Sequence, residues 1–512
     1  LMPINKIFSS IIRTRMSGVN SMRDNPINAQ NIVFKSLTET LHKTKFGKEH
    51  EIDTHSYLIS ENVFSTQIPI RTYDEIKPWI LRAREGELDV LWPGKVSWFA
   101  KTSGTTSDRS KILPVTKESL KSNHYKGGRD LLAMFCDEKS TADLYTGKHL
   151  IIGGSSALHP YISGSYTGDL SAIIIKNLPF WVETRRTPGR EITMLENWEE
   201  KVELMAEEVI GQDVRILAGI PSWMLVVIRR VLEKSGKKSL IEVWPNLQLY
   251  MHGGVGFEPY KDEFRKLINS EKLSYIETYN ASEGFFSIQD SLDRDDMLLL
   301  VNHGIYYEFL PYHENDAELS DALSLGDVEL GGEYALVIST NAGLWRYLIG
   351  DIVKITCVSP YRIKVVGRVS SYINIVGEEL MVNQAESAVS KALLDFNLSL
   401  KEFTAAPRFS KEGIPVGHSW AIEVSGNTMI SDLSVEGVSK ALDLELKKSN
   451  SDYSVKRESD FILGKPEVIF VKEGSFEVWL KNKNKLGGQH KIPRLSNSRD
   501  ILEEVLRVIP NR

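Results

Sequence analysis

From about residue 95 to 285 the chain alternates short β-branched or apolar runs with amphipathic stretches, the pattern of a sheet covered by helices. From 296 to 376 that alternation stops. MLLLV, IYYEFL, EYALVIST, DIVKITCV and RIKVVGR follow one another across polar or glycine-containing turns, which predicts antiparallel β structure. Beyond 370 an amphipathic helix over 383–396, strands near 420 and 468 and a helix over 498–508 predict a small α+β domain. The change of style, together with the polar GRVSS at 367–371, places a domain boundary there. The expected fold class is α/β, with an N-terminal domain over 1–368 and a C-terminal domain over 369–512. A chain of 512 residues exceeds the size one hydrophobic core supports, so two domains fit its length.

Local signals sharpen this reading. VSWFA (96–100) reads as a strand, and HLIIGG, VRILAGI and NLQLYMHGG as strands running into glycine. Thr116 is a candidate N-cap for TKESLKSNHYKGGRDLLAMF, a helix that Gly127 and Gly128 are expected to bend. Pro221 opens and Gly236 closes a further helix. Residues 1–23 contain no acid, which reads as a basic packing helix rather than an organelle presequence.

Charge and cysteine usage narrow the class of partner. Sixty-two Lys and Arg against 68 Asp and Glu give a formal charge of −6, which argues against nonspecific nucleic-acid binding. Two cysteines, Cys136 and Cys357, lie far apart and read as reduced thiols, which suits the cytoplasm. No run of 18 apolar residues occurs, so no membrane span is predicted. A cytoplasmic monomer without membrane or nucleic-acid partners is the expectation.

Four stretches place polar or glycine residues just after a predicted strand, where open sheets hold ligands: TSGTT (102–106), MHGGVGFEP (251–259), ETYNASEG (277–284) and YLIGD (347–351). KTSGTTSDRSK reads either as an ordinary solvent loop or as a phosphate cradle, since glycine admits the backbone closely while hydroxyls and cations face anionic oxygens. In ETYNASEG, Tyr279 can stack on a planar base, Ser282 can donate to phosphate and Glu283 can hold magnesium; a strand-to-loop corner with a buried Tyr is the plainer alternative. Asp351 suits the paired hydroxyls of a ribose, although Gly-Asp is also a common turn. His252, alone at a strand end, reads as structural. The chain lacks G-x-x-x-x-G-K-[ST], G-x-G-x-x-G opening a helix, G-x-S-x-G and H-E-x-x-H, which removes support for Walker-type, hydride-transfer, serine-hydrolase and zinc-hydrolase sites.

Taken in order, TSGTTSDRSK, YNASE, YLIGD and GRVSSYINIVGEEL resemble the core motifs of the adenylate-forming superfamily of acyl-CoA synthetases, adenylation domains and luciferases. LWRYLIGD, VVGRVSSYINIVGEELMVNQAE and the tail GGQHKIPRL are more narrowly similar to the auxin-responsive Gretchen Hagen family of acyl acid amido synthetases, from about residue 30 to the C-terminus. The resemblance implies a large α/β domain with a β-barrel part and a small mobile C-terminal domain. It implies that ATP and a carboxylic acid form an acyl adenylate, which an amino acid amine then converts to an amide, with Mg2+ as cofactor.

Carried over by position, the resemblance puts Thr102, Ser103, Gly104, Thr105, Thr106 and Lys111 on the ATP phosphates, Gly253 and Gly254 at adenine and Tyr279 on the base. Ser282 joins the nucleotide site, Glu283 binds magnesium, Asp351 holds the ribose and Arg368 borders the hinge, with Ser370 its pivot. Lys491 is the lysine that reaches the reacting phosphate. Ser107 departs from the wider superfamily's glycine and agrees with the amido synthetase branch. Tyr125, Tyr166, Trp223 and Met224 are candidates for the acyl pocket or for ordinary core. Two alternatives share these motifs: transfer of the acyl group to coenzyme A or another thiol, and a nucleotide-binding regulator that has lost catalysis.

Overall fold

The strands predicted at HLIIGG, VRILAGI and NLQLYMHGG and the antiparallel strands predicted after residue 296 join in a single sheet, whereas VSWFA lies in a separate one. This is seen in a computed structural model that describes residues 4–52, 59–102, 111–153, 158–161, 163–195, 197–254, 257, 260–312, 322–368, 372–373, 380–409, 415–425, 434–450, 453–454, 457, 463–483, 492–496 and 498–508. Of Thr102 and Arg368 only the backbone is described.

The first five strands are β1 (Trp98–Thr102), β2 (Lys111–Val115), β3 (Lys148–Ile151), β4 (His159–Pro160) and β5 (Tyr166–Gly168). They are followed by β6 (Arg186–Thr187), β7 (Val214–Ala218), β8 (Leu249–Gly253), β9 (Ser274–Ala281) and β10 (Gly284–Ile288). Next come β11 (Met297–Leu299), β12 (Ile305–Pro311), β13 (Glu333–Thr340), β14 (Tyr347–Val358) and β15 (Tyr361–Arg368). Eleven of them form one sheet in the order β12-β13-β14-β15-β11-β10-β9-β8-β7-β3-β6. From β6 to β9 neighbouring strands run parallel. From β9 onward the pairs β9–β10, β10–β11 and β11–β15 are antiparallel. A separate four-stranded sheet has the order β2-β1-β5-β4.

The antiparallel half is strongly curled. Three strands separate β9 from β14 in the sheet, so a flat sheet would hold them roughly 19 Å apart at ordinary strand spacing. Yet the Tyr279 hydroxyl of β9 donates to the Asp351 carboxylate of β14.

Helix ends follow their sequence signals. Thr116 caps the helix after β2 by accepting from the Ser119 amide at 3.0 Å. Pro221 opens Pro221–Ser235, and Gly236 ends it at φ +65°. The expected bend at Gly127 and Gly128 is replaced by a π-helical turn at Leu120–His124, immediately before Tyr125–Glu138. At the N-terminus Ile4–Arg13 and Met16–Asp24 are packing helices, with Arg15 paired to Asp130 and Arg23 to Asp290. The main core gathers Leu41 from a helix, Phe99 from β1, Ile216 and Leu249 from the parallel half of the large sheet and Phe286, Tyr307 and Ile363 from its antiparallel half.

The chain packs as two units. Among the described residues the larger takes everything before 255 together with 267–365, and the smaller takes 257, 260–266 and 366 onward. In the smaller unit β16 (Tyr372–Ile373) pairs with β17 (Leu380–Met381), and β18 (Ser399–Phe409), β19 (Pro415–Ser425) and β20 (Glu467–Val471) form a sheet in that order. Helices Val382–Leu394 and Val435–Ser449 supply its core through Val389, Leu393, Leu442 and Leu446. Among the described residues no helix is long and apolar enough to cross a membrane.

Candidate functional site

Gly253 is the last residue of β8, and its register partner on β9 is Thr278. A side chain there has no room: a Cβ would lie 2.3 Å from the Thr278 carbonyl oxygen. Thr278 ties the same strand ends together by donating its hydroxyl to the His252 carbonyl at 3.0 Å. His252 itself is buried, and burial pushes its imidazole down to about 3, which keeps it neutral at physiological pH. Gly254 follows at φ +84°, a conformation that favours glycine.

One residue beyond Thr278, Tyr279 is buried and donates its hydroxyl to Asp351, itself 4% exposed. Two residues 72 positions apart in sequence, assigned separately to base and ribose, are therefore in direct contact. The YLIGD stretch does not follow a strand, as the sequence predicts, but lies inside β14. The register there slips from Ala335↔Ile352 to Val337↔Leu348, leaving two extra residues on β14, and Gly350 takes φ +88°. A β-bulge of this kind re-aims a side chain out of the ladder, and here the side chain beside it is Asp351. The preceding residues of the motif anchor it. Trp345 donates its indole N–H to the Leu91 carbonyl at 3.0 Å, and buried Arg346 pairs with Glu308 at 2.9 Å.

Ser282 and Glu283 form the two-residue turn joining β9 to β10, where Ala281 faces Gly284. Ser282 is buried and Glu283 half-buried. This hairpin is clamped from the helical side by Asn123, a contact the sequence does not reveal. Its amide oxygen accepts from the Phe285 N–H at 2.7 Å, while its amide nitrogen donates to the Phe285 and His303 carbonyls at 3.1 and 3.0 Å. Asn123 lies in the π-helical turn, and such turns recur at functional sites. His124 beside it is pushed down to about 4 by burial, against a hydrogen bond to Asn280 that raises it.

Lys111 opens β2 and lies 3.4 Å from the hydroxyl of Tyr347, four residues before Asp351. Its ammonium is also 5.6 Å from the centroid of the Tyr73 ring. Ser103, Gly104, Thr105, Thr106, Ser370 and Lys491 lie outside the described residues, as do the side chains of Thr102 and Arg368.

The four acyl-pocket candidates divide. Tyr125 packs with Trp98, Leu158 and Ile174 against Ala100, Val115, Leu120, Leu170 and Ile173, and donates its hydroxyl to the Ile174 carbonyl at 3.0 Å. Tyr166 is 39% exposed and stacks on Trp98 at 5.1 Å, which brings it to the same apolar cluster. Met224, in the first turn of Pro221–Ser235, is fully buried, and its neighbour Trp223 is half-buried.

Among the described residues no three His, Cys, Asp or Glu side chains cluster to cage a metal. A lone carboxylate such as Glu283 instead suits magnesium, which keeps most of its shell of water and phosphate oxygens. A glycine-lined strand end, a buried tyrosine–carboxylate pair and a lysine on the neighbouring sheet thus fit a magnesium nucleotide.

The chain matches the GH3 family N-terminal domain over residues 15–273, the GH3 family central domain over 298–368 and the GH3 family C-terminal domain over 383–500. The chain belongs to the GH3 family. It is 24% identical to the 4-substituted benzoates-glutamate ligase GH3.12 of Arabidopsis thaliana, across 98% of this chain and 97% of that protein. It is also 24% identical to indole-3-acetic acid-amido synthetase GH3.3 of the same plant, across 86% and 85%. Among solved structures, a GH3.15 acyl acid amido synthetase in complex with 2,4-DB aligns at a TM-score of 0.80 with 18% identity, covering 98% of this chain and 97% of that one. The 2-hydroxyisobutyryl-CoA ligase in its postadenylation state aligns at 0.60 with 11% identity, covering 99% and 92%. Both structures share the fold of this GH3 chain.

Proposed function

We propose that this GH3 chain is an ATP-dependent acyl acid amido synthetase. A carboxylate oxygen of the acid attacks the α-phosphorus of ATP and pyrophosphate leaves. The amine nitrogen of an amino acid then attacks the acyl carbon, releasing AMP and a proton. Activation is needed because a carboxylate is a poor electrophile, whereas its mixed anhydride with AMP carries a leaving group whose charge the site can stabilise. The observation that carries this reading is the buried Tyr279–Asp351 contact at the bulge of β14, in a chain whose relatives are amido synthetases.

In this reading Asp351 accepts from the ribose hydroxyls with Tyr279 fixing its orientation, and Gly253 and Gly254 lie against adenine. Thr102, Ser103, Gly104, Thr105, Thr106 and Lys111 hold the phosphates, with Ser282 contributing a hydroxyl. Glu283 supplies one oxygen to magnesium, which when bound screens the phosphate charge. Lys491 neutralises charge on the reacting phosphate. Residues 1–368 act as the adenylation domain and 369–512 as a mobile domain, with Arg368 and Ser370 at the hinge. Tyr125, Tyr166, Trp223 and Met224 line the acyl pocket. The names of the relatives support a carboxylic acid, aromatic or alkyl, and an amino acid as the substrate classes.

The test is acid-dependent exchange of labelled pyrophosphate into ATP across a broad panel of aromatic and alkyl carboxylic acids; silence with every acid overturns the reading. With an active acid, amide products from amino acids are expected, and a coenzyme A thioester as sole product contradicts amide formation. Asp351→Ala is expected to weaken ATP binding, and Lys491→Ala to slow exchange with little change in ATP affinity.

A further inference from the structure

The turn that carries Glu283 does not hold itself. Ala281 faces Gly284 across β9 and β10, so Ser282 and Glu283 make a two-residue loop. Loops of that length match the twist of their strands in the primed turn types, which need a positive φ at the first loop residue. Neither Ser282 nor Glu283 takes a positive φ. The ladder is then disturbed again: its register slips between Phe285 and Ser287, leaving Phe286 as an extra residue on β10. A carboxylate on such a turn is aimed by what grips the hairpin from outside.

The π-helical turn Leu120–His124 grips both strands. On β10 the side chain of Asn123 takes both backbone groups of Phe285, two residues past Glu283. It accepts from the N–H at 2.7 Å and donates to the carbonyl at 3.1 Å, as the backbone of a further strand would. On β9 His124 hydrogen-bonds the side chain of Asn280, three residues before Glu283. Neighbouring residues of an α-helix point about 100° apart. Here the Tyr125 N–H reaches back five residues to the Leu120 carbonyl, and the wider turn narrows that angle, so Asn123 and His124 serve one hairpin. The grip is itself braced. Asn123 also donates to the His303 carbonyl at 3.0 Å, and Lys126 donates to the Asn302 carbonyl at 2.6 Å, on the segment between β11 and β12. Gly284 leaves no slack, since a Cβ there would fall 2.5 Å from Cδ1 of Ile305.

We propose that Asn123 and His124 are positioning residues for magnesium: they fix the Ser282–Glu283 turn, so that the Glu283 carboxylate is oriented before the metal arrives. A ligand fixed in advance loses less conformational freedom on binding. This rests on the function proposed above, in which Glu283 supplies an oxygen to magnesium. Neither positioning residue needs contact with substrate or metal.

The test is the Kd of ATP, measured on the full chain by titration calorimetry in excess Mg2+ and again in EDTA. The wild-type chain is expected to bind more tightly with Mg2+, and Glu283→Gln to lose most of that gain. Asn123→Ala is expected to cut the gain about tenfold, the equivalent of about one hydrogen bond, with the Kd in EDTA unchanged. Asn123 is 1% exposed, so a second variant guards against loss of the fold. Asn280 is exposed, and Asn280→Ala is expected to cut the gain about threefold. Adding either substitution to Glu283→Gln is expected to cost nothing further. A wild-type gain in either variant overturns the proposal, as does a loss of affinity in Asn123→Ala that is equal with and without Mg2+. If the wild-type chain gains nothing from Mg2+, or Glu283→Gln keeps the full gain, the assignment of Glu283 fails first and the proposal falls with it.

Discussion

Tyr279 and Asp351 show how two residues with separate roles on paper become one device in the fold. A carboxylate at 4% exposure is costly to keep charged without hydrogen-bond donors, and the phenolic donor offsets part of that cost while helping to fix the carboxylate plane. Tyr279→Phe therefore acts on nucleotide binding through Asp351. It is expected to raise the Kd for ATP by about 10- to 150-fold, the value of one hydrogen bond to a charged group. Because both side chains serve one contact, Tyr279→Phe on top of Asp351→Asn should cost little more than Asp351→Asn alone, which a double-mutant cycle by titration calorimetry measures. Strict additivity would show that the two act independently. The sequence places both residues in candidate motifs, and it could not show that they touch, since the contact needs a two-residue bulge and a curled sheet.

At the scale of elements, the helix after β2 shows what two adjacent glycines are for. A Cβ on Gly127 would fall 2.5 Å from Cδ1 of Phe285, in the strand that Asn123 also grips, whereas one on Gly128 meets nothing within 4 Å. Gly127→Ala is accordingly expected to destabilise by about 1–3 kcal/mol through overpacking, net of its gain in helix propensity. Gly128→Ala is expected to stabilise by about 0.5–1 kcal/mol. Urea denaturation of the two variants checks the contrast, and equal effects would remove the packing argument. The same comparison explains what was legible. Strands running into glycine, the Thr116 cap and the Gly236 stop are local signals, and the chain follows them. β18 is not legible: SLKEFTAAPRF has two alanines and a proline, and its middle residues are buried on successive positions without alternation. Its eleven residues are strand because they pair along β19, and Pro407 is tolerated on the outer strand of that sheet. The Asn123–Phe285 clamp spans 162 positions and carries no local signal at all.

For the whole molecule, the buried histidines set a pH limit on stability. His124, His149 and His303 are pushed down to about 4 and His252 to about 3, in each case chiefly by burial. His303 lies 3.0 Å from Asp130, whose pull toward protonation is outweighed by desolvation. Unfolded, these side chains titrate near 6.5. Between about 6.5 and 4 the unfolded chain therefore binds protons that the folded chain refuses, and stability must rise with pH across that window. Above about 6.5 both states are neutral and the contribution is complete; as pH falls toward 4 it is lost. The expected outcome is a thermal midpoint that is level from pH 7 to 8 and drops steeply from 6.5 to 4, followed by differential scanning fluorimetry in buffers of constant ionic strength. His252→Gln removes one such group outside the Asp130 cluster and is expected to flatten the slope while lowering the plateau, because a buried side chain is disturbed. A slope unchanged by His252→Gln, or a midpoint that falls only below pH 4, would show that carboxylates rather than histidines govern the acid side.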